Sequence, residues 1–113
     1  MKKYETIKST RKFNEIINIG NKVKSKYFIL CSVVNNDIDF PMFGVAVGKK
    51  TGNAVERNKI KRRIRHLVNN KKKLFKNNRF YIIIGKKECK NVNFSLLEKD
   101  FEKLLLKGEI NEK

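Results

Sequence analysis

Residues 49–79 carry thirteen basic side chains and a single acid, Glu56. No other feature constrains this chain of 113 residues as strongly. So many cations in one stretch cannot be neutralised by internal ion pairs, so the segment must lie at the surface and face an acidic partner. The chain as a whole holds 28 Lys and Arg against 11 Asp and Glu, a net charge of +17. That excess is uneven: residues 29–48 contain no Lys or Arg, and residues 80–113 contain seven against six acids. Charge that served only solubility would be spread along the chain; this pattern describes a binding surface. A hydrophobic fraction of 40% is enough for a real core, which argues against disorder.

Several classes fall away. The length suits one domain. The longest apolar runs, Tyr27–Cys31 and Phe80–Ile84, are far too short to span a bilayer. No apolar stretch follows Lys2 and Lys3, so a secretory signal is not expected. Cys31 and Cys89 lack CxxC spacing, and His66 has no second histidine, which disfavours a disulfide scaffold and a zinc site. The expected protein is cytoplasmic and membrane-free, and its partner is nucleic acid.

The hydrophobic pattern predicts an α-β-β-β-α-β-α order. Ser9–Thr10 can cap a helix with Phe13, Ile16 and Ile17 on one face, ended by Gly20. Val23–Val34, rich in β-branched and aromatic residues, is one strand or a broken pair, and Asn35–Asn36–Asp37 is a turn. In strand 42–48 the bulky Phe43, Val45 and Val47 alternate with Gly44, Ala46 and Gly48, so one face admits a close neighbour. Asn53 and Glu56 form a capping box for a long helix whose apolar stripe is Ile60, Ile64, Leu67 and Val68. This helix frays at Lys71–Lys73 or runs on to Phe75. Phe80–Ile84 is a strand buried on both faces. Asn93 or Ser95 caps a last helix with the stripe Leu97, Phe101, Leu104 and Leu105. The fold class is α+β, an α/β sandwich in one small domain with a central sheet of about four strands.

At 100° per residue, Arg57, Asn58, Lys61, Arg62 and Arg65 fall in one polar arc beside the apolar stripe. Lys49 and Lys50 lead into the Gly52–Asn53 turn, where the first N–H groups of the helix attract anions. The arginine fork can grip a phosphate with two hydrogen bonds. A Lys-rich helix face is commonly just solvated, but one acid in the segment leaves these charges to an external partner. His66 is expected at the surface and Cys31 as a small buried hydrophobe; Asp37 and Asp39 shape their turn. A protein-only nuclease would need clustered Asp and Glu for two metals, which the basic segment lacks.

The run from Gly44 to Arg65 closely resembles the signature of the bacterial ribonuclease P protein component. It has a strand ending in Lys49–Lys50, then Gly52–Asn53, Arg57–Asn58, and a basic helix through Ile60, Lys61, Arg62, Ile64 and Arg65. The similarity extends to Phe13, Gly20, the Phe28–Leu30 strand and the strand from Tyr81, which is nearly the whole chain. This resemblance implies a protein without catalytic side chains. A catalytic RNA, holding the Mg²⁺, removes the 5′ leader of precursor tRNA, and no obligate protein partner is implied. The RNA-binding residues would be Lys49, Lys50, Asn53, Arg57, Asn58, Lys61, Arg62 and Arg65. The leader would lie in a cleft between the first helix and the sheet, lined by Phe13, Ile17, Tyr27 and Cys31. By strand alternation Tyr27, Ile29, Cys31 and Val33 share one face and Phe28, Leu30 and Ser32 the other; the first set is read as facing the cleft and the second the helical core, with the reverse orientation as the alternative. Ile17 and Cys31 stand where the family commonly has aromatics, so they cannot supply stacking, worth about 1–3 kcal/mol per base. The resemblance also implies a left-handed crossover from strand 42–48 to strand 80–84. The alternative reading is a generic RNA-binding protein of the ribosomal type.

Overall fold

In a computed structural model that describes residues 6–7 and 9–111, with side chains up to residue 107, each predicted element is present. The start of the chain, where no leader is expected after Lys2 and Lys3, lies outside the described residues. The Ser9 hydroxyl accepts the Lys12 N–H at 3.2 Å and opens α1, Thr10–Ile19. The Val23–Val34 segment is a hairpin of β1, Asn21–Lys24, and β2, Phe28–Val34. Then follow β3, Met42–Val47; α2, Ala54–Asn70; β4, Arg79–Gly85; and α3, Phe94–Asn111. Asn93 caps α3, its side-chain oxygen accepting the Ser95 N–H at 2.8 Å.

The four strands form one mixed sheet in the order β1-β2-β4-β3. β2 is antiparallel to β1 and to β4, whereas β3 runs parallel to β4. α2 connects these two parallel neighbours. β4 is central and apolar on both sides, and its alternation separates two clusters. Tyr81 and Ile83 belong to the larger one with Phe28, Leu30, Phe43, the α2 stripe and Leu97, Phe101 and Leu104 of α3. Ile82 and Phe80 belong to a smaller one with Ile16 and Cys31, beneath α1. The sheet is thus sandwiched between α1 and the α2–α3 pair, as an α+β domain.

α2 stops at Asn70, because the chain turns through a 3₁₀ segment at Lys72–Leu74 to deliver Phe75 to the core. The Phe75 ring meets Phe43 and Tyr81 edge-on, with centroids 4.9 and 4.8 Å away. Both thiols are buried. Cys89 donates to the Tyr27 carbonyl at 3.0 Å, and burial pushes its thiol up to about 12. Cys31 donates to the Ile16 carbonyl at 3.1 Å, and burial raises its thiol as well.

Two glycines are there for space. Gly20 ends α1 with an extended backbone at φ −72°, so a left-handed turn is not its reason. A Cβ there would stand 2.5 Å from the Cys31 sulfur and 2.7 Å from the Ile16 carbonyl oxygen. On β3, a Cβ at Gly44 would stand 2.7 Å from the Phe13 ring. The small face of β3 is therefore where α1 lays its aromatic side chain. Gly44→Ala should displace Phe13 and cost about 1–3 kcal/mol in urea denaturation, the range for overpacking. In the Phe13→Ala background the same change should cost less than half as much. Equal costs in both backgrounds would show that the ring contact does not set the requirement for glycine.

Candidate nucleic-acid interface

The basic face is assembled by a strand, a turn and a capped helix in direct succession. Lys49 and Lys50 stand exposed on a 3₁₀ turn after β3, and the chain enters α2 through Asn53. Asn53 accepts the Glu56 N–H at 2.9 Å, while Glu56 Oε1 accepts the Asn53 N–H at 3.1 Å. The expected capping box is complete, so the Asn53 side-chain oxygen is committed to the helix end. Glu56 also pairs with Lys90 at 3.2 Å. The Asn53 N–H, followed by Lys90, holds the Glu56 carboxyl below its usual range. Its support of the cap is therefore present above the ordinary carboxylate pKa and fades as pH falls through the lowered value.

The two flanks of α2 are used differently. On one, Glu56 reaches Lys90, Arg63 Nη1 donates to the Val92 carbonyl at 3.0 Å, and the His66 ring lies 5.6 Å from that of Phe94. This flank is fastened to the segment ahead of α3. The other carries Arg57, Asn58, Lys61, Arg62 and Arg65. Among the described residues no carboxylate pairs with any of these four cations, and the buried Nε of Arg57 has no hydrogen-bond partner. By contrast, Lys71, just past the helix, is already paired with Glu102 at 2.8 Å. The arc is a cationic strip open to a polyanion.

The four expected cleft residues do not come together. Phe13 and Ile17 are half-buried on α1, against the smaller cluster. Cys31 is fully buried beneath α1, so it supports that surface without lining it. Tyr27 lies on the opposite side, within the larger core. The reason is local: Ser25 N–H bonds to the Phe28 carbonyl, which makes residues 25–28 the hairpin turn, and the Tyr27 N–H donates to Asp100 at 3.0 Å. Strand alternation therefore starts at Phe28 and does not apply to Tyr27. Ile29, Cys31 and Val33 do share the α1 side, opposite Ile84, Ile82 and Phe80 in the register.

Residues that the sequence did not single out complete this surface. Lys22 and Lys24 pair with Cys31 and Ile29, which places both lysines on the α1 side of the sheet. Lys12 holds its ammonium 5.0 Å from the centre of the Phe80 ring. Alternation of Lys22 and Lys24 about Val23 was the available signal, but it needed the hairpin register to assign a side. The α1 side of the sheet thus combines the half-buried apolar Phe13 and Ile17 with the basic Lys12, Lys22 and Lys24.

Fold and surface define a small α+β nucleic-acid-binding domain with one cationic helix face and a second basic surface on the α1 side of the sheet. The Ribonuclease P family model matches residues 1–109. The Ribonuclease P protein component of Syntrophus aciditrophicus is 36% identical over 111 residues, covering 98% of this chain and 92% of that protein. Among solved structures, the RNase P protein of Staphylococcus aureus superposes with a TM-score of 0.84 at 31% identity, covering 92% of this chain and 94% of that one. The RNase P protein of Thermotoga maritima gives 0.80 at 26% identity, covering 89% and 94%. The chain belongs to the Ribonuclease P protein family, and its work is RNA binding in a tRNA-processing ribonucleoprotein.

Proposed function

We propose that the chain is the protein subunit of a bacterial ribonuclease P particle, acting in the cytoplasm without an obligate protein partner. It binds the catalytic RNA through Lys49, Lys50 and the Arg57–Arg65 arc, and holds the 5′ leader of precursor tRNA beside α1. The observation that carries this reading is the α2 arc: a row of cations that, among the described residues, pair with no carboxylate, following directly on a capped helix start. Cations so placed recognise phosphate and read no base, which suits a structured RNA held by its backbone. The α1 side of the sheet supplies Phe13 and Ile17 as apolar contacts, and Lys12, Lys22 and Lys24 as phosphate contacts along a single strand.

Mg²⁺ is the cofactor of the particle, but the side chains present here do not fit a resident site. Among the described residues no three His, Cys, Asp or Glu side chains converge, and Glu56 is already held by its cap and Lys90. When bound by the RNA, Mg²⁺ supplies the hydrolytic chemistry, and the protein contributes binding and orientation.

We also propose that the β3–α2–β4 crossover is left-handed, although such units are right-handed in about 98% of cases. The support is the chirality of Phe43. Its side chain packs with α2, and its carbonyl accepts the Ile7 N–H at 2.8 Å on the edge away from β4. For an L-residue in a rising strand, with the side chain toward the viewer, the carbonyl points right. Seen from α2, Ile7 is then right of β3 and β4 left of it. A crystal structure with β4 to the right would overturn this.

Single-turnover cleavage of precursor tRNA by the reconstituted particle, over a Mg²⁺ series, tests the division of labour. Arg57→Ala, Lys61→Ala and Arg65→Ala should each weaken assembly or substrate binding by about 1–3 kcal/mol, as for lost charge-assisted bonds. Raised Mg²⁺ should restore much of that loss. Glu56→Gln and His66→Ala should still cleave at saturating RNA and Mg²⁺; loss of cleavage in either, with folding intact, would make the protein itself catalytic.

A further inference from the structure

Next to the arc, on the flank of α2 fastened to the segment ahead of α3, lies a second concavity of different chemistry. Arg62, Arg63, His66 and Phe94 line an open space of about 400 Å³, within the size range of small-ligand sites. The His66 and Phe94 rings stand 5.6 Å apart, inclined by 56°. Phe94 is half-buried and anchored on the larger core, whereas His66 is exposed. Arg63 is held by its 3.0 Å bond to the Val92 carbonyl, so its guanidinium is positioned before any ligand arrives. Glu56, the one acid of the basic segment, is committed to the cap and to Lys90.

We propose that this concavity is a stacking subsite for one unpaired nucleotide of an RNA, with the base stacked on the exposed His66 ring and its edge against the inclined Phe94 ring, and its phosphate on Arg62 and Arg63. An aromatic face accepts any base, and a guanidinium fork beside it suits the phosphate of the same nucleotide. Aromatic rings and arginines together favour a nucleotide over an acidic peptide, which would engage the arginines alone. The subsite rests on the RNA-binding reading and extends it: Arg63, His66 and Phe94 lie outside the arc. An RNA lying along the arc would reach it by passing Arg62, which belongs to both.

Binding of pentauridylate and of its abasic counterpart to the full-length protein, at moderate salt, tests this. The protein should bind pentauridylate about tenfold more tightly than the abasic strand, the change expected for one stacked base. His66→Ala and Phe94→Leu should bring pentauridylate down toward the abasic affinity and leave the abasic strand unchanged. His66 is exposed, so its variant keeps the test valid if Phe94→Leu disturbs folding. Equal affinity for both strands, or an unchanged base preference in His66→Ala, would overturn the subsite while RNA binding stands. Equally tight binding of an acidic pentapeptide would also overturn it. Failure to bind either strand would remove the RNA-binding reading itself.

Discussion

Four apolar side chains, Ile60, Ile64, Leu67 and Val68, fasten the most highly charged helix of the molecule to β3 and β4. All four are buried, and burying each is worth about 1.5–3 kcal/mol. Against this stand the like charges that the arc sets four residues apart, Arg57 with Lys61 and Lys61 with Arg65. Such pairs cost only about 0.2–0.5 kcal/mol each on a solvated helix. Burial wins by a wide margin, so the helix stays docked although, among the described residues, the arc has no carboxylate partners. Everything else follows from that anchoring. The capping box fixes where α2 starts, Lys49 and Lys50 are carried to its mouth, and the stripe turns the arc outward.

The repulsion has another consequence. A chain with a net charge of +17 has its compact state penalised by self-repulsion, and any polyanion that binds only the folded state relieves this by mass action. Binding and stability are thereby coupled. The flank toward α3 limits the penalty with the Glu56–Lys90 pair and the bond from Arg63 to Val92. Among the described residues the open flank has no such relief.

Much of this was legible in the sequence because it depends on short-range periodicity. The spacing of Ile60, Ile64, Leu67 and Val68, the Asn53–Glu56 box and the two-residue alternation of β3 each fixed an element and its buried side. What could not be read depended on contacts distant in sequence. The turn at residues 25–28 and the bond from Tyr27 to Asp100 moved Tyr27 to the opposite side of the sheet. Gly20 looked like a stop signal for α1, yet its need is the close approach of Cys31. Lys22 and Lys24 could be assigned to the α1 side of the sheet only once their register with β2 was known. The pairing of His66 with Phe94 joins two segments whose spacing in sequence gives no hint of contact.

The central claim is that the arc binds RNA by neutralising phosphates. The salt dependence of affinity for the catalytic RNA measures this directly. With about four to eight phosphate contacts, log affinity should fall against log salt with a slope of about −3 to −7. Each alanine substitution at Arg57, Lys61, Arg62 or Arg65 should make that slope shallower by about one unit. Lys71→Ala, which removes a cation already paired with Glu102, should leave the slope unchanged. A slope near zero, or one that the four arc substitutions leave as steep as before, would contradict the account.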